Sequence, residues 1–567
     1  MINWYGVLSS AFWVVGLALV LGTVSWSFYA SAQASSSWRA TLNSPGPLQA
    51  LAAGMGLLTL GLGFRPGSAL WQSGLWFALF LGFALVGWQA HQRALGRPAE
   101  IIPFLQQKVL RPHGMALGII LLSLFMASLY AVTIRPWMQP DEPRHYEVIL
   151  HDVRLGRPGA TDKDVNLDWE REIIADMEAQ SFWWYGYSLV GWDPDHLPES
   201  FDAIWDPIYA RAFYQLPLYY DLAGLLFYTW GQGLSHSQAV LLLRFFGIFW
   251  LGVSLAGIYA LGRLLFPQRP HIALWALTFA ALWPAHLAAN AAVNNDPMAE
   301  ALVIWATFFA LRLLRDGPSF KSLTWFFALV ILTIYTKRTG FSVLALMLAI
   351  PGWGLLHLSR NATRRTRLLG AAMLAAGLAA IPLGLYLIKA TGRYWLTAQD
   401  QANLSPARLW KLVQAAPLEK SALSLYKTFW GWFGWLRVPL PAGLYWAGII
   451  VAVGLVLLLG RGYGQILKRK RPAWQKAALA LLGLTLLTQL GLTLGKDIVY
   501  QAWKAGSVPQ MRYLYPVLPA MLLPMAAGLD AWLPEARKRQ VFSALLLLLV
   551  LFNFYILGFI LYPFFWL

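Results

Sequence analysis

The apolar run 115–134 passes through Arg135-Pro136 into Trp137-Met138-Gln139-Pro140-Asp141-Glu142-Pro143-Arg144-His145-Tyr146, and the fold is decided by reading run and motif as one unit. The run is long enough to cross the hydrocarbon core of a bilayer as a helix, so two adjacent carboxylates are delivered to within a few residues of the membrane surface. Acids held there are costly, which makes a functional role the first hypothesis to test. Pro143 has a fixed φ suited to the first turn of a helix. Asp141 or Glu142 is therefore expected at the N-cap, with Tyr146, Ile149 and Val153 on one apolar stripe and Gly156 ending the helix. From this stretch alone two readings stay open: a capping pair on an exposed loop, or a catalytic pair.

Composition narrows the classes. A chain of 567 residues that is 58% hydrophobic and 12% charged is a multi-spanning membrane protein. The net charge of +18 is spread over short segments between apolar runs, the pattern of membrane orientation, and this argues against a nucleic-acid partner. With no cysteine, the chain has no disulfide, thiolate metal site or thiol nucleophile. The 30 Trp and 23 Tyr suit bilayer interfaces.

Fourteen spans are expected, at 7–28, 48–64, 70–88, 114–134, 239–262, 272–289, 298–314, 322–336, 341–358, 368–389, 442–460, 477–495, 511–532 and 540–562. They group into an N-terminal three-span module (1–90), a basic cytoplasmic loop (91–113), a membrane core (114–389) and a second external loop rich in aromatics (390–441). A four-span C-terminal region (442–567) completes the chain. The core contains a large first external loop, 135–238, which holds more than half of the chain's 26 acidic residues. Within it Trp169, Ile173 and Met177 recur at helical spacing, with Glu170, Glu172, Asp176 and Glu178 on other faces, suggesting a helix on the membrane surface. The stretch 216–230 is apolar but interrupted by Pro217 and Asp221, and reads as interfacial or re-entrant. With that choice, the clusters Arg263/Arg269, Arg312/Arg315/Lys321, Arg360/Arg364/Arg365/Arg367, Lys468–Arg471 and Arg537–Arg539 all fall on the cytoplasmic side.

The exceptions share the outer side. Asn294-Asn295-Asp296-Pro297, Lys337-Arg338 and Gln510-Met511-Arg512-Tyr513 lie at span ends on the face that carries Asp141 and Glu142. Each has a plain explanation: Asp296 as a helix N-cap, Lys337 and Arg338 snorkelling to headgroups, Arg512 paired with a headgroup phosphate. Jointly, carboxylates and cations at one interface describe a site that binds a phosphate and abstracts a proton. Trp430, Trp432 and Trp435, interleaved with glycines, read as interfacial anchors or as a flat wall for a sugar or prenyl chain, with Tyr513 beside them.

At this point the motifs resemble, in order, those of the GT-C membrane glycosyltransferases, whose relatives include aminoarabinose transferases and protein O-mannosyltransferases. Pro140–Tyr146 looks like the first external loop's acidic motif, and Pro217-Leu218-Tyr219-Tyr220 like the Pro-aromatic segment of its juxtamembrane helix. Arg244 resembles the start of the next span, and Asp296-Pro297-Met298 the second acidic motif. Thr336-Lys337-Arg338-Thr339-Gly340 stands at the place of a Lys-Gly signature. The blocks Phe429–Trp435 and Gln510–Pro516 look closest to an uncharacterised bacterial branch. The resemblance runs from about residue 115 to 519. The three leading spans have no counterpart in the usual core.

It implies an all-α, GT-C-like helix bundle in the cell (inner) membrane, with its active face external or periplasmic. The implied activity is inverting transfer of a sugar from a polyprenyl-phosphate carrier to a glycan, lipid or protein acceptor. Asp141 would be the general base, with Glu142 orienting acceptor or base. Asp296, Asn295 and His145 would contact the acceptor or a metal, and Lys337, Arg338 and Arg512 would hold the donor phosphate. Trp430, Trp432, Trp435 and Tyr513 would form the sugar or prenyl wall. No cofactor is obligatory in this reading, although magnesium or manganese would suit oxygen ligands. Membrane lipids are the surroundings, and spans 7–88 could dock a partner subunit. Two other readings compete: a non-catalytic scaffold subunit that keeps the fold, and a transporter of lipid-linked glycans. The latter is disfavoured because no internal repeat is visible.

Overall fold

A computed structural model describes residues 4–34, 37–63, 70–95, 112–182, 216–358, 418–468, 471–502 and 509–567, with a few isolated positions between them. Backbone polar groups have no water to bond in lipid, so membrane segments must satisfy themselves internally. The described chain does so almost wholly as helix, with a single two-stranded pairing of Trp432–Phe433 and Val438–Pro439. Eight of the described helices are long and apolar enough to cross a membrane, or nine if the bent pair Pro270–Leu282 and Pro284–Asn290 counts as one span. The protein is an all-α polytopic membrane protein.

That number is below the fourteen expected. Segment 322–336 forms the helix Phe320–Thr336, whose 17 residues reach about 25 Å. Segment 341–358 is divided among a 3₁₀ turn, Arg338–Ser342, and the short helices Val343–Leu346 and Ala349–Leu358. Most of 368–389, of the first half of loop 390–441 and of the basic loop 91–113 lies outside the described residues. The stretch 216–230 gives the helix Leu218–Trp230, whose 13 residues are too short to cross a bilayer.

The chain divides into two compact units, 1–115 and 116–567. The first contains the helices Trp4–Gln33, Trp38–Leu42, Pro45–Gly63 and Leu70–Ala94. The second holds every candidate site residue. Its helices approach closely where side chains are smallest, as membrane interfaces favour. A Cβ on Gly462 would come within 1.8 Å of the Pro524 carbonyl oxygen, and one on Gly528 within 2.1 Å of that of Leu458. The helices Ala442–Lys468 and Leu518–Trp532 therefore touch backbone to backbone. Asn553 ties three further helices by accepting from the Tyr130 hydroxyl (2.9 Å) and donating to the Leu282 carbonyl (2.7 Å).

Ionic groups collect at the two ends of this unit. At one end Asp530, 1% exposed, pairs with Arg269 (2.5 Å), His271 (2.6 Å) and Lys538 (2.5 Å), joining two loops between spans. At the other end of the span that carries Asp530 lies Arg512, and there the candidate site is built.

Candidate functional site

The site starts from an arginine inside an apolar helix. Arg244, 1% exposed, sits two turns into the helix His236–Leu265, which opens with a Ser235–Gln238 capping box. A charge there must be fully partnered. The guanidinium donates to the carbonyls of Ala131 (2.7 Å), Ile134 (2.5 Å) and Arg135 (2.8 Å), the unsatisfied end of the helix Pro112–Thr133. Its remaining N–H groups fork onto Glu142 at 2.8 and 2.6 Å. The Glu142 carboxylate also accepts from the backbone N–H of Gln139 (3.2 Å) and Val293 (3.1 Å).

Glu142 is thus fully buried with both oxygens engaged, and has no atom left to orient an acceptor. This corrects that part of its expected role. What it does is fasten the Gln139 loop and the turn before Asp296 to one arginine, so that the two acidic motifs face each other. Gly247, one turn beyond Arg244, leaves room for that turn: a Cβ there would meet the Asn290 carbonyl oxygen at 2.6 Å.

Asp141 occupies the N-cap of the helix Glu142–Leu155, which ends at Gly156 as the sequence indicates. Its backbone is left-handed (φ 70°), an unusual conformation for a residue with a Cβ. Its carboxylate makes no capping hydrogen bond. It accepts from Arg512 at 2.5 Å, with Arg144 3.8 Å away. Arg512 reaches on to Asp296 at 3.8 Å, and Asp296 binds Lys337 at 2.6 Å. Asp296, unlike Asp141, is not at the N-cap: Asn295 holds that position, while the Asn294 side chain accepts from the Asp296 N–H at 2.8 Å. Four segments far apart in sequence therefore meet in one alternating line of charge: Arg144, Asp141, Arg512, Asp296 and Lys337.

Burial by itself would raise the Asp141 carboxyl, but the charges of Arg144 and Arg512 outweigh it and hold the group well below the usual carboxylate range. His145, one turn on, stacks beside Tyr220 with Nδ1 2.7 Å from its hydroxyl. Burial and then Arg144, with Lys337 and Arg512 behind it, push the imidazole well below its ordinary value against the pull of Asp141. His145 is therefore neutral at physiological pH. Unfolding returns it to water, where it takes up a proton near pH 6.5, so acidification below that value favours the unfolded chain. The apparent melting temperature in detergent is expected to drop between pH 6.5 and 5, and to drop less in His145→Gln; equal slopes would show that His145 contributes nothing to the pH dependence.

Arg512 lines a small cleft. Gln139, Asn294, Thr428, Gln510 and Tyr515 add polar side chains to its lining, and Ala285, Ala288, Ala289, Ala292, Trp432 and Phe433 add apolar ones. Trp432 is the one expected wall residue that lines it. Trp435 instead donates from its indole N–H to the Trp137 carbonyl (2.8 Å), anchoring the second loop beneath the acidic motif. Trp430 packs edge-on to Phe429 (4.9 Å), and the Tyr513 ring lies 5.4 Å from the Arg512 guanidinium. Asn295 is buried and donates to the Thr336 carbonyl (3.4 Å), tying the lysine turn to the aspartate turn, while its Oδ1 is buried without a hydrogen-bond partner. Arg338 is half-buried beside Lys337. The expected surface helix is Leu167–Ala179, but Glu170 on it is buried and accepts from the Phe201 N–H (3.0 Å), while Asp176 accepts from the Trp137 indole (2.8 Å). It packs on protein.

Sequence reasoning passed over Arg244 as a partner, Asn294 and Tyr515. The signal for Arg244 was present, since a lone arginine in Leu241-Leu242-Leu243-Arg244-Phe245-Phe246 requires a buried anion. Among the described residues no three His, Asp or Glu converge, and Arg512 stands between Asp141 and Asp296.

The fold and the site define a polytopic membrane protein with a charged cleft at one end of its helix bundle. Residues 211–521, more than half of the chain, match the family described as predicted membrane protein (DUF2142), and the chain belongs to that family. No curated protein matches it. Among solved structures it is similar to the oligosaccharyltransferase of Archaeoglobus fulgidus. The complex of that enzyme with zinc and sulfate aligns at 14% identity and a TM-score of 0.39 over 77% of this chain and 52% of that one. Its apo form aligns at 14% and 0.40 over 79% and 55%. The chain spans about half the length of those structures.

Proposed function

We propose that the protein is a GT-C-like inverting glycosyltransferase that moves a sugar from a polyprenyl-phosphate carrier to an acceptor at the outer or periplasmic face of the cell membrane. One observation carries the reading: two carboxylates from distant segments converge on Arg512, and Arg512 lines a cleft that four alanines and two aromatic residues also line. A lipid phosphate has the same two-sided chemistry. The order of motifs along the chain adds to it.

In the reaction the acceptor oxygen or nitrogen forms a bond to the anomeric carbon as the bond from that carbon to the phosphate oxygen breaks. The acceptor's proton passes to Asp141, and polyprenyl phosphate leaves with its charge matched by Arg512 and Lys337. Arg512, with Arg144, holds Asp141 weakly basic. A phosphate that draws the guanidinium toward itself frees a carboxylate oxygen and restores its basicity. Donor binding thereby prepares the base. No step needs a metal, and the position of Arg512 between the two acids supports a metal-independent site. The acceptor is a glycan, lipid or protein hydroxyl or amine.

The test is transfer in vitro from a panel of polyprenyl-phosphate sugars by wild type and Arg512→Gln. Transfer is expected from at least one donor with wild type and from none with the variant; equal rates in both would remove Arg512 from the site.

A further inference from the structure

We propose that Tyr515 is a ligand-binding residue whose hydroxyl donates a hydrogen bond to the lipid-borne phosphate that Arg512 pairs with. The inference rests on the reading of the cleft given above and adds a residue to it. Met511–Val517 is a 3₁₀ helix, in which residues three apart eclipse, so Arg512 and Tyr515 project from one face. Both line the cleft.

The Tyr515 ring is held from behind. It meets His286 edge-on with centroids 4.8 Å apart and Trp283 at 5.4 Å. His286 is fixed in turn: Nδ1 donates to the Ala280 carbonyl (2.7 Å) and Nε2 faces Glu300 at 2.9 Å. This His286–Glu300 pair is wholly buried and has no part in the chemistry above, and a brace for Tyr515 accounts for it. Tyr515 is 3% exposed and lines the cleft. The Nε of Arg512 is buried without a hydrogen-bond partner. A guanidinium and a hydroxyl on one face of one turn, in a cleft that four alanines also line, fit an anionic oxygen with an aliphatic tail.

Tyr515→Phe removes the hydroxyl and keeps the packing. Farnesyl phosphate titrated into the detergent-solubilised full chain is expected to bind Tyr515→Phe about tenfold more weakly than wild type. Farnesol is expected to bind both alike, and the melting temperature to stay the same. Arg512→Gln is expected to lose the preference for farnesyl phosphate over farnesol altogether. If Arg512→Gln loses it while Tyr515→Phe binds as wild type does, the assignment of Tyr515 is overturned and the cleft stands. Wild-type binding by Arg512→Gln would overturn both. An equal loss for farnesol in Tyr515→Phe would make the hydroxyl structural, and inorganic phosphate binding as tightly as farnesyl phosphate would assign the seat to a free anion; each contradicts the proposal.

Discussion

Asp141→Asn is expected to slow transfer from the lipid-linked donor by about 10²–10⁴-fold, the usual worth of a positioned general base, while donor affinity stays the same or rises. The rise follows from geometry. Asp141 occupies an N–H of Arg512 at 2.5 Å, so it competes with any phosphate for that guanidinium. An amide competes less. Single-turnover transfer and donor titration on the same preparations separate the two effects. Near-normal turnover in the variant would remove Asp141 from the role of base. Weaker donor binding would mean that Asp141 organises Arg512 instead of masking it.

Arg244→Met should destabilise the protein by about 3–5 kcal/mol, because it leaves the fully buried Glu142 carboxylate without its counter-charge. It also uncaps the end of the Pro112–Thr133 helix, where three carbonyls lose their donor. Adding Glu142→Gln should recover part of the loss, since no uncompensated charge remains buried. Thermal unfolding in detergent of wild type, the two single variants and the double variant measures the coupling. Additive single effects would show that the pair does not join the two acidic motifs.

The residues that were legible in the sequence are those whose cost was visible there. Asp141 and Asp296 stood at membrane boundaries, and Lys337 and Arg512 broke the distribution of positive charge. Those four are the groups the fold brings into contact. Gly156 and Pro143 fixed the ends of the first loop helix because turn chemistry is local. Roles that depend on who faces whom were not legible. Adjacent acids look alike in sequence, yet Glu142 points inward to Arg244 and Asp141 outward to Arg512. The three tryptophans likewise share a motif, but the hairpin Trp432–Pro439 turns only Trp432 to the cleft. Hydropathy also cannot distinguish a crossing helix from short apolar pieces such as Val343–Leu346, among which the expected span 341–358 is divided.

The most direct measurement is photo-cross-linking of a diazirine-bearing prenyl phosphate to the purified protein, with the labelled peptide mapped by mass spectrometry. Adducts are expected on the cleft residues Ala285, Ala288, Ala289, Ala292, Trp432 or Phe433, suppressed by excess farnesyl phosphate and absent from Arg512→Gln. Labelling that falls elsewhere on the helix bundle, or persists unchanged in Arg512→Gln, would contradict the account.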